Sequence, residues 1–265
     1  MKYTGVLKKM QTEFSDPVKY YLIMQNDFVQ LNQMIGRELS FAFESFECLN
    51  CGLDKKIFRQ GFCYDCFSSS AKVGDWIIRP ELSTAHLGIE DRDLDYEKSV
   101  QLQDHIVYLA VSSDVKVGVT RKTQVPTRWI DQGASLAMPI VEVPNRYLAG
   151  ITEVALKDHL NDKTDWRKML TTSKKSIDLM EVYESISQYI PEEARPYIAA
   201  SQDRIWKINY PLQTPPVKVK SVNLSKTNEY KGKLAGIKGQ YLIFEDQTVL
   251  NVRNNEGFYV DLSIL

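Results

Sequence analysis

The chain lacks an excess of charge of either sign. Thirty-three Lys and Arg residues stand against 34 Asp and Glu, for a formal net charge of −1. No global basic field draws such a protein to nucleic acid, so any binding of that kind must come from local patches. A long apolar run is also missing: nothing approaches the roughly 18 continuous apolar residues that a membrane-spanning helix needs. The opening "MKYTGVLKKMQTEF" has no apolar stretch of the sort a secretory signal requires. Internal repeats and low-complexity tracts are absent too, which argues against repeat arrays and disordered tails. These absences lead to the expectation of a cytoplasmic protein with no membrane attachment, in which disulfides are not expected. What remains is ordinary globular composition, 43% hydrophobic and 25% charged. A chain of 265 residues can bury a sizeable core and divide into several modules.

Cysteine is scarce, but its placement is informative. All four fall between positions 48 and 66, as Cys48-Leu-Asn-Cys51 and Cys63-Tyr-Asp-Cys66. Each CxxC turn delivers two thiolates from one tight loop, and two such turns complete a tetrahedral Zn2+ site. Gly52 suits the positive φ that such turns often require. The intervening "LDKKIFRQGF" reads as a hairpin turning near Gln60-Gly61. The alternatives are two disulfides or four free thiols. A closed four-cysteine site is structural in character, so Cys48, Cys51, Cys63 and Cys66 are expected to hold zinc as a staple rather than to do chemistry.

The rest of the chain divides by pattern into an α+β organisation. "TGVLKKM", "VKYYLIMQ" and "ELSFAFESF" alternate like strands of an N-terminal antiparallel sheet over 1–47, feeding the zinc ribbon at 48–67. Residues 68–104 hold a strand candidate, Trp76-Ile77-Ile78, and then turn acidic; they read as a solvated connector with one helical stretch. His86 stands alone there, and a lone His is more often structural than a ligand. Residues 105–170 form a core of their own. The segment 171–210 is helical, with Ile177, Met180, Tyr183, Ile186 and Ile190 as a core-facing stripe ended by Pro191. "YPLQTPPVK" (210–218) reads as an extended linker, and 211–265 as a small C-terminal β module.

Within the core, Val107, Leu109, Val111, Val115, Val117 and Val119 alternate with Ile106, Tyr108, Ala110, Lys116, Gly118 and Thr120. Period two puts the first set on a core face and the second on the opposite face. Ser112-Ser113-Asp114 then forms the loop, with Ala110 opposite Lys116 and Tyr108 opposite Gly118. A helix follows, starting near Pro126, stopping at Gly133 and carrying Arg128. After the strand "MPIVEV", "PNRYLAGITEVALKDHLND" reads as a helix capped by Asn145. On it Glu153 shares a stripe with Ala149, Leu156 and Leu160, and a carboxylate in that company needs a cation, a metal or a hydrogen-bond partner.

This β-β-α-β-α order resembles the GIY-YIG nuclease superfamily, most closely its divergent branch whose second motif reads K-[IV]-G-x-T. "IVY" (106–108) stands for GIY, "KVG" (116–118) for YIG, "TRW" (127–129) brings the helix arginine and "ITEVAL" the glutamate. Lys116 stands where the second tyrosine is usual, the Tyr108-to-Lys116 spacing is short, and Asn161 is the candidate for the asparagine that follows the glutamate. The wider layout is similar to a bacterial family of unknown function. It shares "KVGVTRKTQVPTRWIDQGA" and "GIKGQYLIF" with that family. The superfamily resemblance implies phosphodiester hydrolysis with one Mg2+ or Mn2+. Tyr108 would orient or deprotonate water, Arg128 would offset phosphate charge, Glu153 would hold the metal and Lys116 would be a second phosphate contact. The plain structural alternative is a Tyr108 that caps a sheet face, an Arg128–Glu153 ion pair and a solvated Lys116.

Between 217 and 240, Lys218, Lys220, Lys226, Lys231, Lys233 and Lys238 face one acid, Glu229, with Tyr230 nearby. Lys218, Lys220, Lys231, Lys233 and Lys238 are thus candidates for tracking a phosphate backbone, although edge-strand lysines also serve to block aggregation. Three functions fit: a metal-dependent nuclease, a non-catalytic zinc-containing nucleic-acid-binding protein, or an interaction scaffold.

Overall fold

The computed structural model describes residues 1–160, 165–172, 177–198 and 205–265. The chain forms two compact units: Met1–Ser68 with Ile208–Leu265, and Ser69–Lys207.

The first unit begins with β1 (Lys2–Val6), then β2 (Gln11–Glu13), β3 (Lys19–Ile23) and β4 (Phe28–Gln30), the last three an antiparallel sheet in the order β2-β3-β4. In β3 the pleat sends Tyr20 and Leu22 inward and leaves Lys19, Tyr21 and Ile23 half-exposed. The Asn32 side chain fastens the next turn, accepting from Tyr20 N at 2.8 Å and donating to Val18 O at 2.9 Å. Next come the nine-residue β5 (Glu38–Phe46) and the hairpin β6 (Ile57–Arg59) with β7 (Phe62–Cys63). Gln60 and Gly61, both at positive φ (53° and 76°), make the hairpin turn where the sequence places it.

In the second unit, residues 69–93 form short 3-10 turns rather than a strand, followed by α1 (Leu94–Gln101). The helical stretch of the expected connector is present and most of its acids are exposed, but the segment is not solvated throughout. Trp76 is buried, and Glu97, read as surface acidity, is 0% exposed. Its carboxylate accepts from the backbone N–H groups of Asp91, Arg92 and Asp93 at 2.7–3.0 Å, which satisfies its oxygens inside the fold. The strands β8 (His105–Val111) and β9 (Val115–Arg121) pair in the expected register, Tyr108 against Gly118 and Ala110 against Lys116. Then come α2 (Thr127–Asp131), β10 (Leu136–Val143), α3 (Arg146–Lys157), α4 (Trp166–Thr171), α5 (Leu179–Ile186) and the short β11 (Trp206–Lys207). The sheet order is β11-β10-β8-β9. Every residue of β8 is buried, so both faces of that strand are covered, while β9 keeps Val115, Lys116, Val119 and Arg121 half-buried. Leu179, Ile186 and Ile190 pack into this core with Ile177, Met180 and Tyr183 against it, as the helical stripe predicts. Gly150 of α3 lies against the backbone at Pro80–Glu81, where a Cβ would come within 2.2 Å of Glu81 N. Only glycine allows that approach.

The chain returns to the first unit with β12 (Lys220–Val222), β13 (Glu229–Lys238), β14 (Tyr241–Phe244), β15 (Thr248–Asn251) and β16 (Phe258–Ile264). These do not form a separate module. One seven-stranded sheet runs β1-β16-β5-β13-β14-β15-β12, with β5 between β16 and β13. Leu39 and Phe41 of β5, both buried, stand opposite Ile264 and Leu262 of β16, so each terminal segment supplies strands that bury the other. Residues 210–212 also depart from the linker reading: Ile237 N donates to Pro211 O at 3.0 Å and Leu212 bridges Gly236.

Candidate functional sites

The cysteine ribbon is built from two turns and a hairpin. Gly52 N donates to Cys48 O at 2.8 Å, closing the first turn with Gly52 at φ +69°. The β6–β7 hairpin then returns Cys63 so that its N–H donates to Cys48 Sγ at 3.3 Å. All four Sγ atoms lie within 4.8 Å of one another, and all four cysteines are free thiols. Four sulfurs at about 2.3 Å from a tetrahedral zinc would sit about 3.8 Å apart, so the set fits a metal such as zinc with little movement. Burial acts to raise the Cys48 thiol, but N–H donation from the backbone of Cys51, Cys63 and Asn50 outweighs it and brings it down to about 6. At Cys66 the Asn50 amide pulls downward, yet burial and hydrogen bonding within the thiol cluster push it up to about 12. Such a group holds its first negative charge readily and its last with difficulty, which is what a dication would relieve.

In the second unit, Tyr108, Arg128 and Glu153 come together. Tyr108 is 0% exposed, and its ring crosses Gly118, where a Cβ would stand 2.7 Å from the hydroxyl. The hydroxyl donates to Gln132 Oε1 at 3.1 Å, and the ring meets Trp129 edge-on at 5.7 Å. Burial raises the phenol above its ordinary value; Arg128 and Gln132 oppose this and Glu153 adds to it. Arg146, the first residue of α3, donates to Trp76 O at 3.0 Å and Ile77 O at 2.8 Å. Burial lowers it to about 10; Glu153 resists, while Arg128 and Arg121 add like-charge repulsion. Glu153 and Arg128 are half-buried, as is Lys116 on the same strand as Gly118. Asn161 lies outside the described residues.

A family profile described as "Protein of unknown function (DUF2797)" matches residues 36–260. The chain belongs to the DUF2797 family. No curated protein and no solved structure matches it.

The DUF2797 match takes in the four cysteines and the Tyr108 group alike. It also spans the C-terminal lysines, which the fold treats unequally. Lys231 lies 3.0 Å from Glu38 and Lys233 2.9 Å from Glu245, both acids brought from outside the basic stretch. Lys238 lies 5.8 Å from the Tyr210 ring centroid, and Lys218 and Lys220 are exposed. The stretch is therefore not one cationic face.

Three neighbours of the Tyr108 and Glu153 group escape the sequence reading. Gln132 stands four residues after Arg128, and Arg146 seven before Glu153, both spacings that share a helix face. Those offsets are visible in the sequence. Arg121 is not, because only the sheet register places the end of β9 near α3. His86 stacks on Tyr147 at 4.5 Å. No described helix is long and apolar enough to cross a membrane.

Proposed function

We propose that the second unit hydrolyses nucleic-acid phosphodiesters with one divalent metal, Mg2+ or Mn2+. The observation that supports it is the convergence of Tyr108, Arg128 and Glu153, from one strand and two helices, into a single electrostatic neighbourhood. In this reading Arg128 offsets charge growing on the phosphate, and Lys116 is a second phosphate contact. Glu153 would hold the metal, which when bound supplies a Lewis acid and a template. Among the described residues no group of three His, Cys, Asp or Glu side chains gathers around Glu153. A Mg2+ there would keep several waters and take its other ligands from substrate. Because burial keeps the Tyr108 phenol protonated, its part is to orient a water or phosphate oxygen through its O–H, not to deprotonate one.

A second reading is non-catalytic nucleic-acid binding by the same face, with the zinc ribbon as a structural element. The complete burial of Tyr108 favours it, since a hydroxyl closed off by Gln132 touches substrate only after a side chain moves.

A cleavage assay on mixed DNA and RNA with Mg2+ or Mn2+ separates the two readings. Cutting that Tyr108→Phe and Glu153→Gln both abolish supports hydrolysis. No cutting, with salt-sensitive binding that Arg128→Ala weakens, supports binding alone. Neither cutting nor binding removes both and leaves a protein scaffold.

A further inference from the structure

A different set of cations converges in the first unit. A cleft of about 520 Å3 opens between the tip of the β6–β7 hairpin and the turn that precedes β16, a volume typical of small-ligand sites. Lys56 and Arg59 line it from the hairpin, Arg253 from the turn, and Lys226 from a short helical turn after Asn223. One carboxylate, Glu256, faces them, and its Oε1 already accepts from Lys9 N at 2.9 Å. None of the four cations forms an ion pair with another described residue. That sets them apart from Lys19, Lys55, Lys122, Lys231 and Lys233, each of which meets an acid. Four like charges around one cavity repel one another unless an anion enters.

The remaining wall is aromatic and amide. Phe58 is 48% exposed at the cleft, braced edge-on by Tyr64 at 5.3 Å and Phe67 at 5.2 Å, with the Arg59 guanidinium 5.4 Å from its centroid. Phe46 and Phe258 pack against each other beneath, 5.2 Å apart. Gln60 and Asn254 add side-chain amides. The walls are held in place: Glu47 N donates to Gly257 O at 2.8 Å and Leu49 N to Gly61 O at 2.9 Å.

We propose that this cleft binds a nucleoside phosphate. The phosphate sits among Lys56, Arg59, Lys226 and Arg253, and the base lies on Phe58 within reach of the Gln60 and Asn254 amides. Cations alone would take any anion; an exposed, braced ring beside them adds a stacking surface for a base. The assignment stands apart from the reading of the second unit, because it uses none of that unit's residues.

Titration calorimetry on the full chain with zinc bound tests it. The probes are AMP, inorganic phosphate and a single-stranded oligonucleotide of about ten nucleotides. AMP or the oligonucleotide should bind at least about tenfold more tightly than phosphate, with affinity that falls as salt rises. Arg59→Ala with Arg253→Ala should weaken that binding by at least about tenfold, and Phe58→Ala should narrow the gap between AMP and phosphate. Lys56→Glu with Lys226→Glu is the second pair, reading the same loss from the other wall; unchanged circular dichroism and zinc content show that each variant folds. Lys19→Ala in the first unit and Lys122→Ala in the second, cations that already meet acids, should leave AMP binding unchanged. Preference for the oligonucleotide identifies a strand as the source of the nucleotide, and preference for AMP a free one. Phosphate binding as tightly as AMP, no binding of any probe, or affinity indifferent to both cation pairs would overturn the proposal.

Discussion

The cysteine ribbon of the first unit and the Tyr108 neighbourhood of the second are held by opposite means. The ribbon is covered unevenly: Cys48 and Cys63 are buried, Cys51 is exposed and Cys66 half-exposed, and its order rests on two turns, a hairpin and four converging sulfurs. Tyr108 lies in a strand buried on both faces, against Trp129, with its hydroxyl donating to Gln132. The first arrangement offers four converging sulfurs that could hold a metal such as zinc; the second keeps water out. Their responses to perturbation should therefore separate, and the molecule offers a convenient reporter. All four tryptophans, Trp76, Trp129, Trp166 and Trp206, lie in the second unit.

The largest effect should come from the ribbon. Cys48→Ser, or a strong chelator, should reduce bound zinc from about one per chain toward none and expose the 48–67 segment to protease. Tryptophan fluorescence should stay native at that point; a coincident change would erase the contrast between the two regions. Tyr108→Ala should do the reverse, costing about 3–5 kcal/mol in a fluorescence-monitored denaturation through the cavity it leaves while zinc content holds.

His105 sharpens the same contrast through pH. Its Nδ1 lies 2.6 Å from Gln103 O, and burial brings it down to about 4, the Gln103 carbonyl opposing and Arg146 and Arg121 assisting. A histidine lowered in the folded state is no burden above its unfolded value near 6.5. Below that the unfolded chain takes up a proton that the folded one refuses. Second-unit stability should fall as pH drops from about 6.5 toward about 4, by on the order of 3 kcal/mol, and His105→Gln should flatten that slope. A slope unchanged by the substitution would remove His105 as the cause. The smallest effect is that of Tyr108→Phe, about 1 kcal/mol for the lost bond to Gln132, read from the same denaturation curve.

Some of this is legible from residue order. The CxxC spacing, the Gln60-Gly61 turn and the β8–β9 register depend on neighbours a few positions away, where steric rules and period-two alternation leave few choices. Glu97 in α1 misleads for the opposite reason. Whether Glu97 meets water or three backbone N–H groups depends on how the chain folds back over it, and charge counting does not register backbone donors. The C-terminal lysines mislead similarly, since Glu38 and Glu245 reach Lys231 and Lys233 only across β-ladders or a strand turn. The four cations of the cleft are the converse case. They come from three separated segments, and no short window along the chain contains them all.

By itself the sequence determined the cysteine cluster, the β-β-α-β-α order with the Tyr108–Gly118 pairing, and the absence of any described helix fit to span a membrane. Each follows from local geometry or from the periodicity of side chains along one element. Tertiary structure alone decided that the two terminal segments share one sheet, that both faces of β8 are covered, and which cations pair with acids and which line a cleft without doing so. Those outcomes turn on contacts between residues far apart in the chain, set by which apolar surfaces must be buried together.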